Sequence, residues 1–182
     1  MSYNDKKLIQ NEEELERFQL IYELISEEYT SELTRKKDIN EKANQIILFV
    51  GILIGLLSSF GLLLLKDISK TNAFYEVYIL LFALSLIFLF LSIIGAIYIY
   101  SIKEWKTVPN SVRVLDYAKN MKSKLKILQI VSAGKTDAIS SNSSKIDKNA
   151  KIITYCHVFL SLGLFILLLF IILLFSTNPI LT

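Results

Sequence analysis

Apolar and charged residues of this 182-residue chain are segregated into long blocks. Residues 46–65 carry no charge. A helix of that length rises about 30 Å, which matches the thickness of a bilayer's hydrocarbon layer. Further uncharged blocks cover 77–102 and 152–175. Because three such runs leave too little protein to cover them in water, the pattern predicts three transmembrane helices.

The stretches between these blocks complete the predicted organisation. Residues 1–50 contain neither Gly nor Pro, so nothing interrupts a helix that runs into the first span. The fold class is therefore predicted as an all-α membrane protein. Its segments in chain order are a cytoplasmic acidic helix at 1–45, transmembrane helix 1 at 46–65, an external loop at 66–76, transmembrane helix 2 at 77–102, a basic cytoplasmic helical segment at 103–151, transmembrane helix 3 at 152–175 and an external tail at 176–182.

The distribution of Lys and Arg predicts the orientation. Residues 103–151 hold eleven basic residues against four acidic ones, whereas the loop at 66–76 offers only Lys66 and Lys70. The positive-inside bias places the basic segment and the amino terminus in the cytoplasm, and the carboxyl terminus outside. We therefore expect a multi-pass protein of the cell membrane.

The first cytoplasmic helix carries an apolar stripe with alternating spacings of three and four residues. Such a stripe is typical of a coiled coil and requires a partner helix. The register weakens at Glu32 and Lys36 before it resumes at Ile39 and Ala43. The stripe consists of Leu15, Phe18, Tyr22, Ile25 and Tyr29.

A second cytoplasmic helix is predicted after Pro109, with Asn110 or Ser111 as its cap and Gly134 as its terminator. The polar residues 135–145 are then either a loop or a frayed helix start. The apolar stripe of this helix comprises Val114, Ala118, Met121, Leu125 and Leu128.

The two cytoplasmic segments have opposite charge balances. Residues 1–45 hold eleven Asp and Glu against seven Lys and Arg, while residues 103–151 are basic. Opposite charge favours pairing of the helices, within one chain or between chains. Two alternatives stay open: the acidic face is simply solvated, or the basic helix lies on anionic lipid headgroups.

Small residues form a face on the first span, where Gly51, Gly55 and Ser59 lie four apart. In lipid, helices associate where small side chains let their backbones approach, so this face is a candidate packing surface. Its partner is either the second span of the same chain or another copy. Ser92 and Ala96 form a shorter face on the second span.

The sequence offers no candidate catalytic, cofactor-binding or metal-binding residues. Cys156 and His157 are chain neighbours, which point about 100° apart on a helix and make a poor dyad. The three spans contain no Asp, Glu, Lys or Arg, which argues against a proton-coupled transporter. The basic segment lacks the interleaved aromatics of a nucleic-acid groove. We expect a protein that is not an enzyme, needs no cofactor and does not bind nucleic acid.

The layout resembles that of small prokaryotic membrane proteins of the SLATT and Pycsar-effector type. The resemblance rests on the helix "YELISEEYTSELTRKKDINEKANQIILFVGIL", the hairpin of two spans and the basic extension that starts near "KEWKTVPNSVRVLDYA". It covers roughly residues 15–130, and the third span departs from the two-span pattern. The resemblance implies an effector of a defence or nucleotide-signalling system that oligomerises and impairs the membrane.

The sequence is compatible with three functions. The first is a self-associating membrane effector; the second is an anchor or accessory subunit that recruits a cytoplasmic partner; the third is a small transporter or channel. The expected partners are the lipid bilayer and either a second copy of the chain or a cytoplasmic protein.

Overall fold

The structure, a computed structural model, describes residues 3–61, 74–100, 105–108, 116, 119 and 123–177, with side chains from residue 11 onward apart from that of residue 60. Within these ranges every regular element is a helix, as predicted. The elements are α1 at Tyr3–Leu56, a π-helical turn at Leu57–Gly61, α2 at Tyr75–Tyr100 and α3 at Lys124–Thr177. All three α-helices are long and apolar enough to cross a membrane, and α1 joins the amino-terminal segment to the first span without a break.

The middle segment differs from the prediction that Gly134 ends a helix. Helix α3 starts at Lys124 and continues through Gly134 and residues 135–145 into the third span. A glycine inside a helix costs about 1 kcal/mol relative to alanine, which packing of neighbouring side chains can offset. Val131, Ala138 and Ile146 supply such packing, since all three are buried. The predicted helix start after Pro109, with Asn110 or Ser111 as its cap, lies outside the described residues. So do Val114, Ala118 and Met121 of its apolar stripe.

The contacts divide the chain into two compact units. Unit 1 combines Met1–Lys37 with Lys103–Asp147, and unit 2 combines Asp38–Ile102 with Lys148–Thr182. Helices α1 and α3 each contribute residues to both.

Unit 2 is built on a seam with coiled-coil spacing. The buried residues of α2 recur at alternating intervals of three and four, which keeps them on one side of the helix. Three of them, Leu89, Ala96 and Ile99, form a core cluster with buried residues of the other two helices. These are Ala43, Ile46 and Val50 of α1 and Ile153 and Cys156 of α3. The seam of α2 consists of Tyr78, Phe82, Ser85, Leu89, Ser92, Ala96 and Ile99.

Two glycines allow α2 and α3 to approach closely. A Cβ atom on Gly95 would lie 2.6 Å from Cys156 Sγ, and one on Gly163 would lie 3.2 Å from the Leu89 side chain. At the same level, the Ser92 hydroxyl donates a hydrogen bond of 2.9 Å to the backbone carbonyl of Cys156. Small residues and an interhelical hydrogen bond are the means by which helices associate in lipid.

Aromatic side chains fill unit 2 toward the other end of α2. The rings of Tyr78 and Phe170 meet edge to face with centroids 6.3 Å apart, and Phe82 also packs against Phe170 at 5.6 Å. The Tyr78 hydroxyl is hydrogen-bonded to that of Thr177. Such ring pairs typically contribute about 0.5–1.5 kcal/mol beyond burial of their area.

We expect Gly95→Ala to destabilise the bundle through Cys156, because the added methyl group would meet Sγ. The same substitution should cost less in a Cys156→Ala background, where Sγ is absent. The coupling energy of this double-mutant cycle should be about 0.5–3 kcal/mol, measured by unfolding in detergent. Ala83→Val, which adds bulk at an exposed position of α2, serves as the control. Additive effects of the two substitutions would contradict this account of the α2–α3 contact.

Candidate functional site

The small-residue face of α1, defined as Gly51, Gly55 and Ser59, points away from the core of unit 2. All three residues are exposed. Among the described residues, nothing lies within 4 Å of a Cβ built on Gly51 or Gly55. The Ser59 hydroxyl donates to the carbonyl of Gly55 in its own helix at 3.1 Å. The contact of α1 with α2 is made instead by residues on the opposite side of the helix, around Val50.

The shorter small-residue face on the second span, Ser92 and Ala96, points into the core of unit 2. Ser92 and Ala96 are fully buried in the seam of α2. They lie where α2 meets α3, and the hydrogen bond from Ser92 to Cys156 fixes their level along that helix. This face is therefore already occupied within one chain.

The apolar stripe of the amino-terminal helix lies in unit 1, and all five of its members are half-buried. Its clearest contact is with Lys135 of α3, whose ammonium group lies 4.3 Å from the centroid of the Tyr22 ring. The same ammonium donates a hydrogen bond to the Ser26 hydroxyl. The acidic amino-terminal segment and the basic middle segment thus pair within a single chain.

The ion pair between these segments has the reverse of the expected polarity. Arg35 comes from the acidic segment and Asp147 from the basic one, and their side chains are 2.8 Å apart. Arg35 also pairs with Glu32 of its own helix at 2.7 Å. Hydrogen bonds to Asp147 and then to Glu32 raise the pKa of the Arg35 guanidinium above its ordinary value. The pair of Arg35 with Asp147 is largely exposed, so its contribution to stability is small.

Asn142 attaches the short segment around Trp105 to α3. Its amide group donates 2.8 Å to the carbonyl of Lys106 and accepts at 3.1 Å from the backbone N–H of the same residue. The Lys106 ammonium pairs with Asp137 at 3.1 Å. The Trp105 ring in turn lies under the ammonium of Lys36 at 4.1 Å.

Glu32 and Lys36 stand in the same seam as the apolar stripe, where the sequence predicts a weakened register. The structure keeps both half-buried with the three-four spacing intact. They line a small cavity with Tyr29, Trp105 and Asn142. Glu32 Oε2 is buried at this cavity and has no hydrogen-bond partner among the described residues. The polar seam positions thus lie beside Trp105 as well as the apolar Ile139 and Ile146 of α3.

Leu20 and Leu24 lie on a different side of α1 in unit 1. Their side chains are 60% and 59% exposed, respectively. They are one helical turn apart and form an apolar patch between acidic residues. Such a patch is a candidate contact surface for another protein.

The structure separates the environments of the chain neighbours Cys156 and His157. Cys156 is buried in the seam between α2 and α3, whereas His157 is exposed. Within the described ranges, no group of three or more His, Cys, Asp or Glu side chains is placed to hold a metal ion.

Several positions of structural weight are missing from the sequence-based prediction. Gly163 gives the close approach of α2 to α3 together with Gly95, which the sequence places beside the Ser92 and Ala96 face. Asn142 and Lys135 contribute contacts within unit 1. Gly163 could have been found, because it continues the three-four spacing of Cys156, Leu167 and their neighbours. Asn142 also falls in the buried series of α3, four residues after Ala138 and four before Ile146, but its hydrogen bonds to the Lys106 backbone have no counterpart in the sequence pattern.

No family model, no curated protein and no solved structure matches this chain.

We expect Asn142→Ala to release the Trp105 segment from α3, because both hydrogen bonds to the Lys106 backbone are lost. The loss should cost about 1–3 kcal/mol. Trp105 is the single tryptophan of the chain, so its emission should shift to longer wavelength as the ring becomes solvated. Asn44→Ala, at an exposed position of α1, is the control. Unchanged emission in Asn142→Ala would contradict the anchoring role.

Proposed function

We propose that this chain is a non-enzymatic multi-pass membrane protein that associates with copies of itself. We further propose that it acts as a membrane-perturbing effector in a prokaryotic defence or signalling system. The observation that carries the proposal is the small-residue face of α1, which no described residue covers although its small side chains would allow close helix contact.

The energetic argument depends on the solvent. In hydrocarbon, an exposed leucine gains little from meeting another apolar side chain, because lipid tails are equally apolar. Close packing of backbones is what remains, and it requires small residues. Unit 2 uses Gly95 and Gly163 in this way within the chain. Gly51 and Gly55 offer the same property on the outside, and a second α1 helix is a partner of matching shape.

The effector role is supported by the resemblance to SLATT and Pycsar-effector proteins, through the helix that leads into the first span. Self-association and a cytoplasmic helical region are what such an effector would use to respond to a trigger. The charge-free spans favour this role over that of a transporter.

The proposed topology has the amino terminus in the cytoplasm and the carboxyl terminus outside. It follows from the basic residues of 103–151 and from the scarcity of Lys and Arg in the loop at 66–76. In this topology unit 1 is cytoplasmic.

A second candidate function is that of an anchor or accessory subunit. The exposed Leu20 and Leu24 favour it, because they offer an apolar patch on a helix that is otherwise rich in charge. A cytoplasmic protein that docks there would copurify at fixed stoichiometry, and overproduction of the chain alone would then not be toxic.

We expect the double substitution Gly51→Leu and Gly55→Leu to weaken self-association by about tenfold or more, which corresponds to at least about 1.4 kcal/mol. The physical reason is that leucine side chains hold two α1 backbones apart. Oligomeric mass in nanodiscs and growth arrest on induction are the two measurements.

The matched control for this experiment is Ala83→Leu, which enlarges a small exposed residue of α2. Loss of oligomers and of toxicity in the glycine variant alone would support the proposal. A wild-type chain that is monomeric at every concentration would refute self-association, and toxicity that survives in the monomeric variant would refute its link to the effector role.

We expect a tag after Thr182 to be accessible from outside intact cells, and a tag before Met1 to become accessible only after the membrane is opened. Protease protection measures both. The same cells with a known cytoplasmic protein carrying the tag provide the control for leakage. An externally accessible amino terminus would invert the proposed topology.

A further inference from the structure

Lysine and tyrosine side chains gather at one end of unit 2, where α2 finishes. The Lys148 ammonium lies 5.8 Å from the centroid of the Tyr98 ring, which joins α3 to α2 at this level. Lys151 and Tyr155 follow Lys148 by three and seven residues and therefore share its face of α3. All four side chains are exposed, and Tyr155 is 62% exposed. We refer to these four residues as the lysine–tyrosine surface.

The charges of this surface are available to an outside ligand. Among the residues that the structure describes, neither Lys148 nor Lys151 forms an ion pair. The nearest carboxylate along the chain, that of Asp147, is engaged by Arg35. Lys148 and Lys151 are three residues apart on α3, about one helical turn, so both side chains can reach one anion.

An apolar strip continues from the lysine–tyrosine surface along both helices. On α3 it consists of Val158 and Leu162, which lie three and seven residues beyond Tyr155. On α2 it consists of Ile94 and Leu91, four and seven residues before Tyr98, and both are exposed. The order of groups along the protein is therefore cation, aromatic ring and aliphatic chain. A membrane phospholipid presents the complementary order of phosphate, glycerol and acyl chain.

We propose that the lysine–tyrosine surface binds the headgroup phosphate of an anionic phospholipid, whose acyl chain lies along the apolar strip. Lys148 and Lys151 attract the phosphate, and Tyr98 and Tyr155 lie at the depth where aromatic rings are enriched in membranes. A free phosphate ion would meet the same two lysines but would gain nothing from the strip, so a lipid is the ligand. The inference rests on the membrane insertion of the proposed function and is independent of self-association.

The test uses the full chain in detergent with soluble short-chain lipids as probes. Dioctanoyl phosphatidylglycerol should bind, as detected by native mass spectrometry, while dioctanoyl phosphatidylcholine should bind much more weakly. The double variant Lys148→Gln and Lys151→Gln should bind the anionic lipid roughly thirtyfold less tightly, as expected for the loss of two lysines near an anionic group. The variant Lys124→Gln and Lys126→Gln, on the part of α3 that belongs to unit 1, removes the same charge and should bind normally.

The outcomes separate the alternatives. Equal losses in both double variants would mean a general effect of net charge and would overturn the site. Competition by inorganic phosphate at the same concentration as the lipid would overturn the role of the apolar strip. Helix content and melting temperature, measured on each variant, show whether a loss of lipid binding is caused by a loss of folding. If the lysine variant is unfolded, Tyr155→Ala replaces it in the test; this variant should fold normally and bind the anionic lipid more weakly, and unchanged lipid binding would overturn the site. Lipid binding by a monomeric chain would support this inference even if self-association failed.

Discussion

Close approach of helix backbones is the constraint on which unit 2 depends. When the surrounding solvent is hydrocarbon, burying one more leucine gains little, and contact must come from shape and from hydrogen bonds. The structure meets this constraint where α2 crosses Gly163 and where Cys156 faces Gly95. Ser92 adds a hydrogen bond at the same level. Larger side chains such as Phe170 fill the space where the helices are not pressed together.

Much of this architecture could be predicted from the sequence, because it depends on properties that a single stretch of chain expresses. Uncharged runs of membrane length predict three helices able to cross a membrane, and the structure contains them. The absence of Gly and Pro before residue 51 predicts the unbroken α1. Ser92 and Ala96 were identified as packing residues, and they are buried between helices. The course of α3 was not predicted, because its continuity through Gly134 depends on contacts that local propensity does not contain.

The contrast between local sequence pattern and tertiary contact also explains which parts of the candidate surfaces could be predicted. The spacing of Gly51, Gly55 and Ser59 identified a face but could not say which helix covers it, since that depends on how α1 is rotated within the bundle. The structure turns the face outward. Likewise, the charge balance favoured pairing of the acidic and basic segments over two alternatives but could not name the contacts, which are Lys135 with Tyr22 and Arg35 with Asp147. Net charge describes a segment, whereas pairing is decided by individual side chains that meet.

The strict seam of α2 has a consequence for how such a chain can change over evolutionary time. Its seven buried residues keep a period of seven, so inserting or deleting one residue inside the helix would rotate every later position by about 100°. Ser92 would then leave the seam, and the residue opposite Cys156 would become Ile94 after an insertion or Ala96 after a deletion in place of Gly95. Divergent descendants of this gene should therefore vary in length outside α2, or within it by whole heptads.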